Sequence, residues 1–130
     1  MGISVANFAA SRVTASAEGL SLARQFTRCH LARWGLDDVA DDAVAVVGEL
    51  TANAVCHTPA ASGGAWLALA TSPRTVMCIV RDTSPRIPSP RRADFPQTGG
   101  RGLRVVAGLS SLWGWSVEDD GKAVWARIPI

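Results

Sequence analysis

The chain is short of most features that would set it apart from an ordinary globular protein. Cysteine occurs only as Cys29, Cys56 and Cys78. They are odd in number, far apart and set in apolar segments, which fits neither a disulfide framework nor the spacing of zinc ligands. Buried free thiols in a reducing cytoplasm are expected instead. Lysine is reduced to Lys122, which follows Gly121 in a turn and reads as solvated. The formal net charge is only +2, too little to mark a polyanion-binding surface, so no nucleic-acid partner is expected. Five arginines do gather between Arg86 and Arg104. No apolar run approaches the ~18–20 residues of a membrane span, and the N-terminus lacks the basic and unbroken apolar regions of a secretion signal.

What is present suffices for one core. The 130 residues are 48% apolar and 18% charged, with five tryptophans and no low-complexity run. This excludes disorder for most of the chain and predicts a single domain over residues 1–130 that needs no disulfide staples.

Periodicity places the elements. ISVANFAASRVT (3–14) has no helical period and reads as a short strand or extended arm. Leu20, Ala23, Phe26, Leu31 and Trp34 recur at three to five, predicting an amphipathic helix from about Ala15 to Trp34, stopped by Gly35. A second helix follows, capped by Asp37 or Asp38, with Asp41 and Asp42 in its first turns where the macrodipole favours negative charge. Its buried face is Val39, Ala43, Val46, Val47, Leu50 and Ala54, and Pro59 ends it. WLALA and TVMCIV read as a strand pair. TSPRIPSPRRADFPQTGG (83–100) holds four prolines without period and reads as a long functional loop. GLRVVAGL is a short helix, and WGWSV and AVWARIPI are strands hinged at Asp119–Gly121. Trp113 and Trp115, two apart, face one side of their strand. The expected fold class is α+β: a two-layer sandwich with helices on one face of a mixed, mostly antiparallel sheet.

Three local patterns bear on chemistry. Glu49 and Asn53 are four apart, hence on one helix face one turn from each other, with His57 continuing the stripe. Such a pair is commonly a solvated edge. Alternatively Asn53 offers an amide oxygen to magnesium, a hard cation that keeps few protein ligands and several phosphates, and Glu49 orients or deprotonates an attacking group. Asp82 ends an apolar strand. It is either a turn former or the acceptor for an exocyclic amine, which would distinguish adenine from guanine. Thr98–Gly99–Gly100–Arg101–Gly102–Leu103 runs into a helix. It is a flexible closure or an anion site made of freed backbone amides and a helix N-terminus, with Arg101 and Arg104 adding charge. It is neither a Walker A loop nor a dinucleotide fingerprint.

Taken in order, these motifs resemble the GHKL (Bergerat-fold, histidine-kinase-like) ATPase family, and within it the anti-sigma factor serine kinase branch and the small single-domain regulators of actinobacteria. ELTANAVCHT is similar to the family's N box, VRDTSPRIP to its G1 box, GGRGLRVVAGLSSLWGW to its G2 region and GKAVWARI to its closing strand. The resemblance runs from about Ala15 to Ile128. It implies ATP and Mg2+ as ligands, Glu49 as general base and Asn53 as magnesium and nucleotide ligand. It also implies Asp82 at the adenine amino group, and Ser84, Gly99, Gly100, Arg101, Gly102 and Leu103 around the nucleotide under a lid at 83–100. The implied reaction is transfer of the ATP γ-phosphate to a serine of a protein antagonist, with sequestration of a sigma factor by a homodimer. The G1 segment departs from the family's Asp-x-Gly-x-Gly, reading Asp82-Thr83-Ser84-Pro85-Arg86. The alternative is therefore a non-catalytic, nucleotide-dependent protein-binding module on the same fold.

Overall fold

The computed structural model describes residues 5–57, 64–83 and 102–130, excluding the side chain of His57. In chain order the elements are β1 (Asn7–Val13), α1 (Ala17–Arg33), a 3-10 turn (Asp37–Val39), α2 (Ala40–His57), β2 (Ala65–Ser72), β3 (Thr75–Asp82), α3 (Gly102–Leu109), β4 (Leu112–Glu118) and β5 (Gly121–Pro129). The strands form one sheet in the order β1-β2-β3-β5-β4. Each pairing between them is antiparallel, so the mixed sheet expected from the sequence is a uniformly antiparallel one among the described residues.

Local chemistry sets the helix boundaries. The Ser16 hydroxyl accepts the Gly19 amide at 2.9 Å, satisfying one of the donors orphaned at the start of α1. The helix ends as Gly35 takes φ 75°, and the Leu36 and Gly35 amides return to Leu31 O and Ala32 O at 2.8 and 3.1 Å. The predicted aspartate cap of the second helix is replaced by the 3-10 turn. Asp37 and Asp38 lie in its first turn, no side chain caps it, and the α-helix begins at Ala40 with Asp41 and Asp42 in its own first turn. The arm at the N-terminus is a full edge strand, because Asn7–Val13 finds a partner in Ala65–Thr71 of β2.

The core lies between the sheet and the helices. α2 packs on α1, α3 and strands β2, β3 and β5. Ala43, Val46, Val47 and Leu50 of α2 meet Leu67, Leu69, Val76, Cys78, Val80, Val124, Ala126 and Ile128 in one buried cluster. Each of the larger side chains contributes ~1.5–3 kcal/mol of apolar burial. Thr51 sits among them at no polar cost, since its hydroxyl donates to Val47 O at 2.7 Å. The alternation of the strands turns Trp66, Met77, Ile79 and Trp125 to the opposite sheet face.

The thiols divide differently from expectation. Cys78 is buried in the sheet, but Cys29 and Cys56 are exposed. Apolar neighbours in sequence do not bury a helical residue when its own face looks outward, which is the case for both. Burial pushes the Cys78 thiol up to about 12. Among the described residues no helix is long and apolar enough to cross a membrane.

Candidate functional site

The antiparallel connections bring several termini to one end of the sheet. β3 ends there at Asp82, β5 starts there at Gly121–Lys122, and β2 starts there at Ala65–Trp66, since Trp66 pairs with Arg81. The short segment 58–63 joins the C-terminal end of α2 to that same start of β2. Glu49 and Asn53 lie in the C-terminal half of α2.

Glu49 and Asn53 are both half-buried on α2. Among the described residues neither side chain makes a hydrogen bond or an ion pair. Their neighbours Leu50, Thr51 and Ala54 carry the burial, so the two polar groups occupy a flank of the helix, as the spacing predicts. The Asn53 amide oxygen is a hard neutral donor of the type that Mg2+ accepts beside phosphate oxygens, so the residue fits that role. No group of three or more His, Cys, Asp or Glu ligands occurs among the described residues. A metal at this helix would accordingly draw most of its ligands from elsewhere.

Asp82 is buried, and the solvated reading of Lys122 is overturned. The two residues are direct cross-strand partners. Lys122 Nζ donates to Asp82 Oδ1 at 2.9 Å and to Oδ2 at 3.0 Å. The side chains are only 2% and 1% exposed. Lys122 lies past the turn, on the helix-side face of β5 together with Val124, Ala126 and Ile128. Gly121 makes this approach possible. Its φ is 149°, and a Cβ at this position would overlap the Asp82 carbonyl oxygen. The signal for Lys122 in the sequence was its place directly after a glycine at the head of an apolar strand. Its partner could be named only once the register between β3 and β5 was known.

The outer side of this sheet end is also charged. Arg81 donates from Nε and Nη2 to Glu118 Oε1 at 3.0 and 2.6 Å, with Asp120 3.9 Å away. The Arg12 guanidinium lies 5.4 Å from the Trp66 ring centroid. A cleft of about 170 Å3 opens here, lined by Arg12, Gly64, Trp66, Arg81, Asp82, Thr83 and Asp120, so Asp82 borders it. Neither Glu49 nor Asn53 lines it, so it is distinct from the helix flank that carries the chemistry-bearing pair.

Ser84, Gly99, Gly100 and Arg101, together with the rest of residues 84–100, lie outside the described residues, as does the side chain of His57, and of Gly102 only its place at the start of α3 is described. Leu103 is described. It is buried in the first turn of α3. Trp113 and Trp115 do share one side of β4, their ring centroids 5.9 Å apart.

Comparison with known proteins follows the same outline. The family model of the histidine kinase-like ATPase domain matches residues 13–128. Among solved structures, a chain of the SiaB–SiaC complex from Pseudomonas aeruginosa superposes with a TM-score of 0.69 at 17% identity, covering 95% of this chain and 89% of that one. At that identity the likeness is one of fold. No curated protein matches the sequence. The chain belongs to the histidine kinase-like ATPase domain family.

Proposed function

We propose that this member of the histidine kinase-like ATPase family is an ATP-binding regulatory protein of the anti-sigma factor kinase type. It transfers the γ-phosphate of ATP to a serine of a protein antagonist, sequesters a sigma factor, or does both. The observation that carries the reading is the family match over residues 13–128. The Glu49–Asn53 pair on α2, whose side chains make no hydrogen bond or ion pair among the described residues, supports it, and so does a solved relative in fold that comes from a complex of two proteins.

In this reading Asn53 holds the magnesium ion, which supplies charge neutralisation on the phosphates when bound. Glu49 takes the proton of the attacking serine hydroxyl, Asp82 meets the exocyclic amine of the base, and Ser84, Gly99, Gly100, Arg101, Gly102 and Leu103 line the nucleotide. Phosphoryl transfer needs mainly positioning and charge stabilisation, so few groups suffice. The protein acts as a homodimer in the cytoplasm.

The test is transfer of labelled γ-phosphate to a serine of the antagonist. It is expected to vanish in Glu49→Gln while ATP binding persists. Label that never leaves ATP would remove the transferase half. The second reading, a nucleotide-dependent binding module without transfer, is favoured by one feature: Ser84 and Pro85 stand where the family's G1 box has its first glycine and the residue after it. Partner binding that survives Glu49→Gln without any phosphorylation would select it.

A further inference from the structure

The face of the sheet turned away from the helices is apolar, where an antiparallel sheet with one solvated face carries polar residues. The register sets three rows of side chains across all five strands on that face. The middle row is Ala10, Ala68, Ile79, Trp125 and Gly114, without one polar side chain. The flanking rows expose Phe8 by 64%, and Trp66 and Leu112 by 51% each. The Trp125 indole lies over Gly114, where a Cβ would stand 2.9 Å from its Cζ2. Three arginines fall on the face, and each is engaged within the chain. Arg81 is held by Glu118. Arg12 and Arg127 lie 5.4 and 5.8 Å from the ring centroids of Trp66 and Trp125. Aromatic, aliphatic and arginine side chains in this mixture make up the core of an interface, not a solvated surface.

We propose that this face is an interface between two copies of the chain, packed sheet against sheet about a two-fold axis. The inference rests on the homodimer reading above and gives it a surface. Strands ~4.8 Å apart and residues ~3.4 Å apart give the three rows an area of about 24 by 20 Å. Two copies then bury about 1,000 Å2, which reaches the lower bound for a specific interface. The face is also complementary to itself. A two-fold axis running across the strands sets one end of each strand against the opposite end in the second copy. Trp66 then meets Ala70, and Arg81 meets Met77. An axis along the strands is disfavoured, because it sets Arg81 of the central strand β3 against its own copy. Glu49 and Asn53 belong to α2, on the other side of the sheet. The pairing therefore leaves both nucleotide sites of the dimer open to protein partners.

The experiment is sedimentation equilibrium of the full chain and three variants, with circular dichroism melts to establish that each is folded. Ile79→Lys places a charge at the centre of the face. Phe8→Ser/Trp66→Ser removes two side chains that lie open in a single chain, so it decides the matter should Ile79→Lys fail to fold. Val117→Lys charges the edge strand β4 outside the face. The wild-type chain is expected to be a dimer at ~10 µM. Its dissociation constant is expected to rise at least ~100-fold in Ile79→Lys and ~10-fold in the double variant, and to stay unchanged in Val117→Lys. A dimer that keeps its dissociation constant in the folded face variants overturns the proposal while the homodimer reading stands. A dimer that Val117→Lys disrupts pairs through the strand edge and overturns it too. A wild-type chain still monomeric at ~100 µM overturns both the proposal and the homodimer reading, and leaves the face to a different protein. ATP titration of the same sample judges the nucleotide site independently of either result.

Discussion

Replacing Lys122 by methionine keeps most of the length of the side chain and removes its charge, so the change breaks the buried ion pair from one side. The Asp82 side chain is 1% exposed and that of Lys122 2%, leaving water no room to substitute for the lost ammonium. Breaking a buried pair from one side costs ~3–5 kcal/mol, a large part of a typical ~5–15 kcal/mol total. At ~2.1 cal/mol/K per residue, a chain of 130 residues has an unfolding entropy of ~0.27 kcal/mol/K, so Tm falls by ~11–18 °C. The double variant Asp82→Asn/Lys122→Met leaves no uncompensated charge and is expected to recover most of the loss, giving a large favourable coupling in the double-mutant cycle. Arg28–Asp41 provides the contrast. Its contact is similarly short at 3.0 Å, but its side chains are 54% and 89% exposed, and Asp41→Asn is expected to change stability by no more than ~0.5 kcal/mol. Thermal and urea melts followed by circular dichroism measure all of these. A Tm loss under ~4 °C for Lys122→Met, or a double variant as unstable as the single one, would refute the claim that the pair is desolvated.

Further expectations concern single residues. Ser16→Ala removes the acceptor for the Gly19 amide and is expected to cost ~1 kcal/mol in urea unfolding, with Ser16→Asn or Ser16→Asp retaining most of it. Gly121→Ala places a Cβ against the Asp82 carbonyl at φ 149°. A loss of at least ~2 kcal/mol is expected, and a neutral result would mean that β5 approaches β3 less closely than described. The folded chain is expected to alkylate at Cys29 and Cys56 while sparing Cys78, as peptide mapping after iodoacetamide would show. Because the Cys78 thiol is raised from 9.0 to about 12, the folded state holds more protons than the unfolded one over that range. Its contribution therefore falls as pH rises from about 9 towards about 12, and Cys78→Ala is expected to flatten that slope in alkaline urea melts.

The parts of the molecule legible in the sequence were those set by local pattern. The helical period of Leu20 to Trp34, the stop at Gly35 and the hairpin spacing of WLALA and TVMCIV each act over a few residues, and α1, β2 and β3 follow them closely. The Glu49–Asn53 juxtaposition was legible for the same reason, since a spacing of four has one meaning on a helix. Lys122 was not, because its neighbour is forty positions away and depends on the cross-strand register of β3 and β5. The aspartates at 37 and 38 carried a cap signal, but the chain uses them in a 3-10 turn before the helix proper. Cys29 and Cys56 failed as buried thiols because the composition of a segment does not say which way one helical residue faces.

The central claim is a nucleotide site completed by α2, and calorimetric titration of the folded chain with ATP, in the presence and absence of magnesium, tests it most directly beside the Asn53→Ala variant. The expected result is saturable one-to-one binding that magnesium strengthens, with Asn53→Ala abolishing the magnesium-dependent part and leaving the chain folded. A folded wild-type chain that gives no heat of binding and no thermal shift at millimolar ATP would contradict the account.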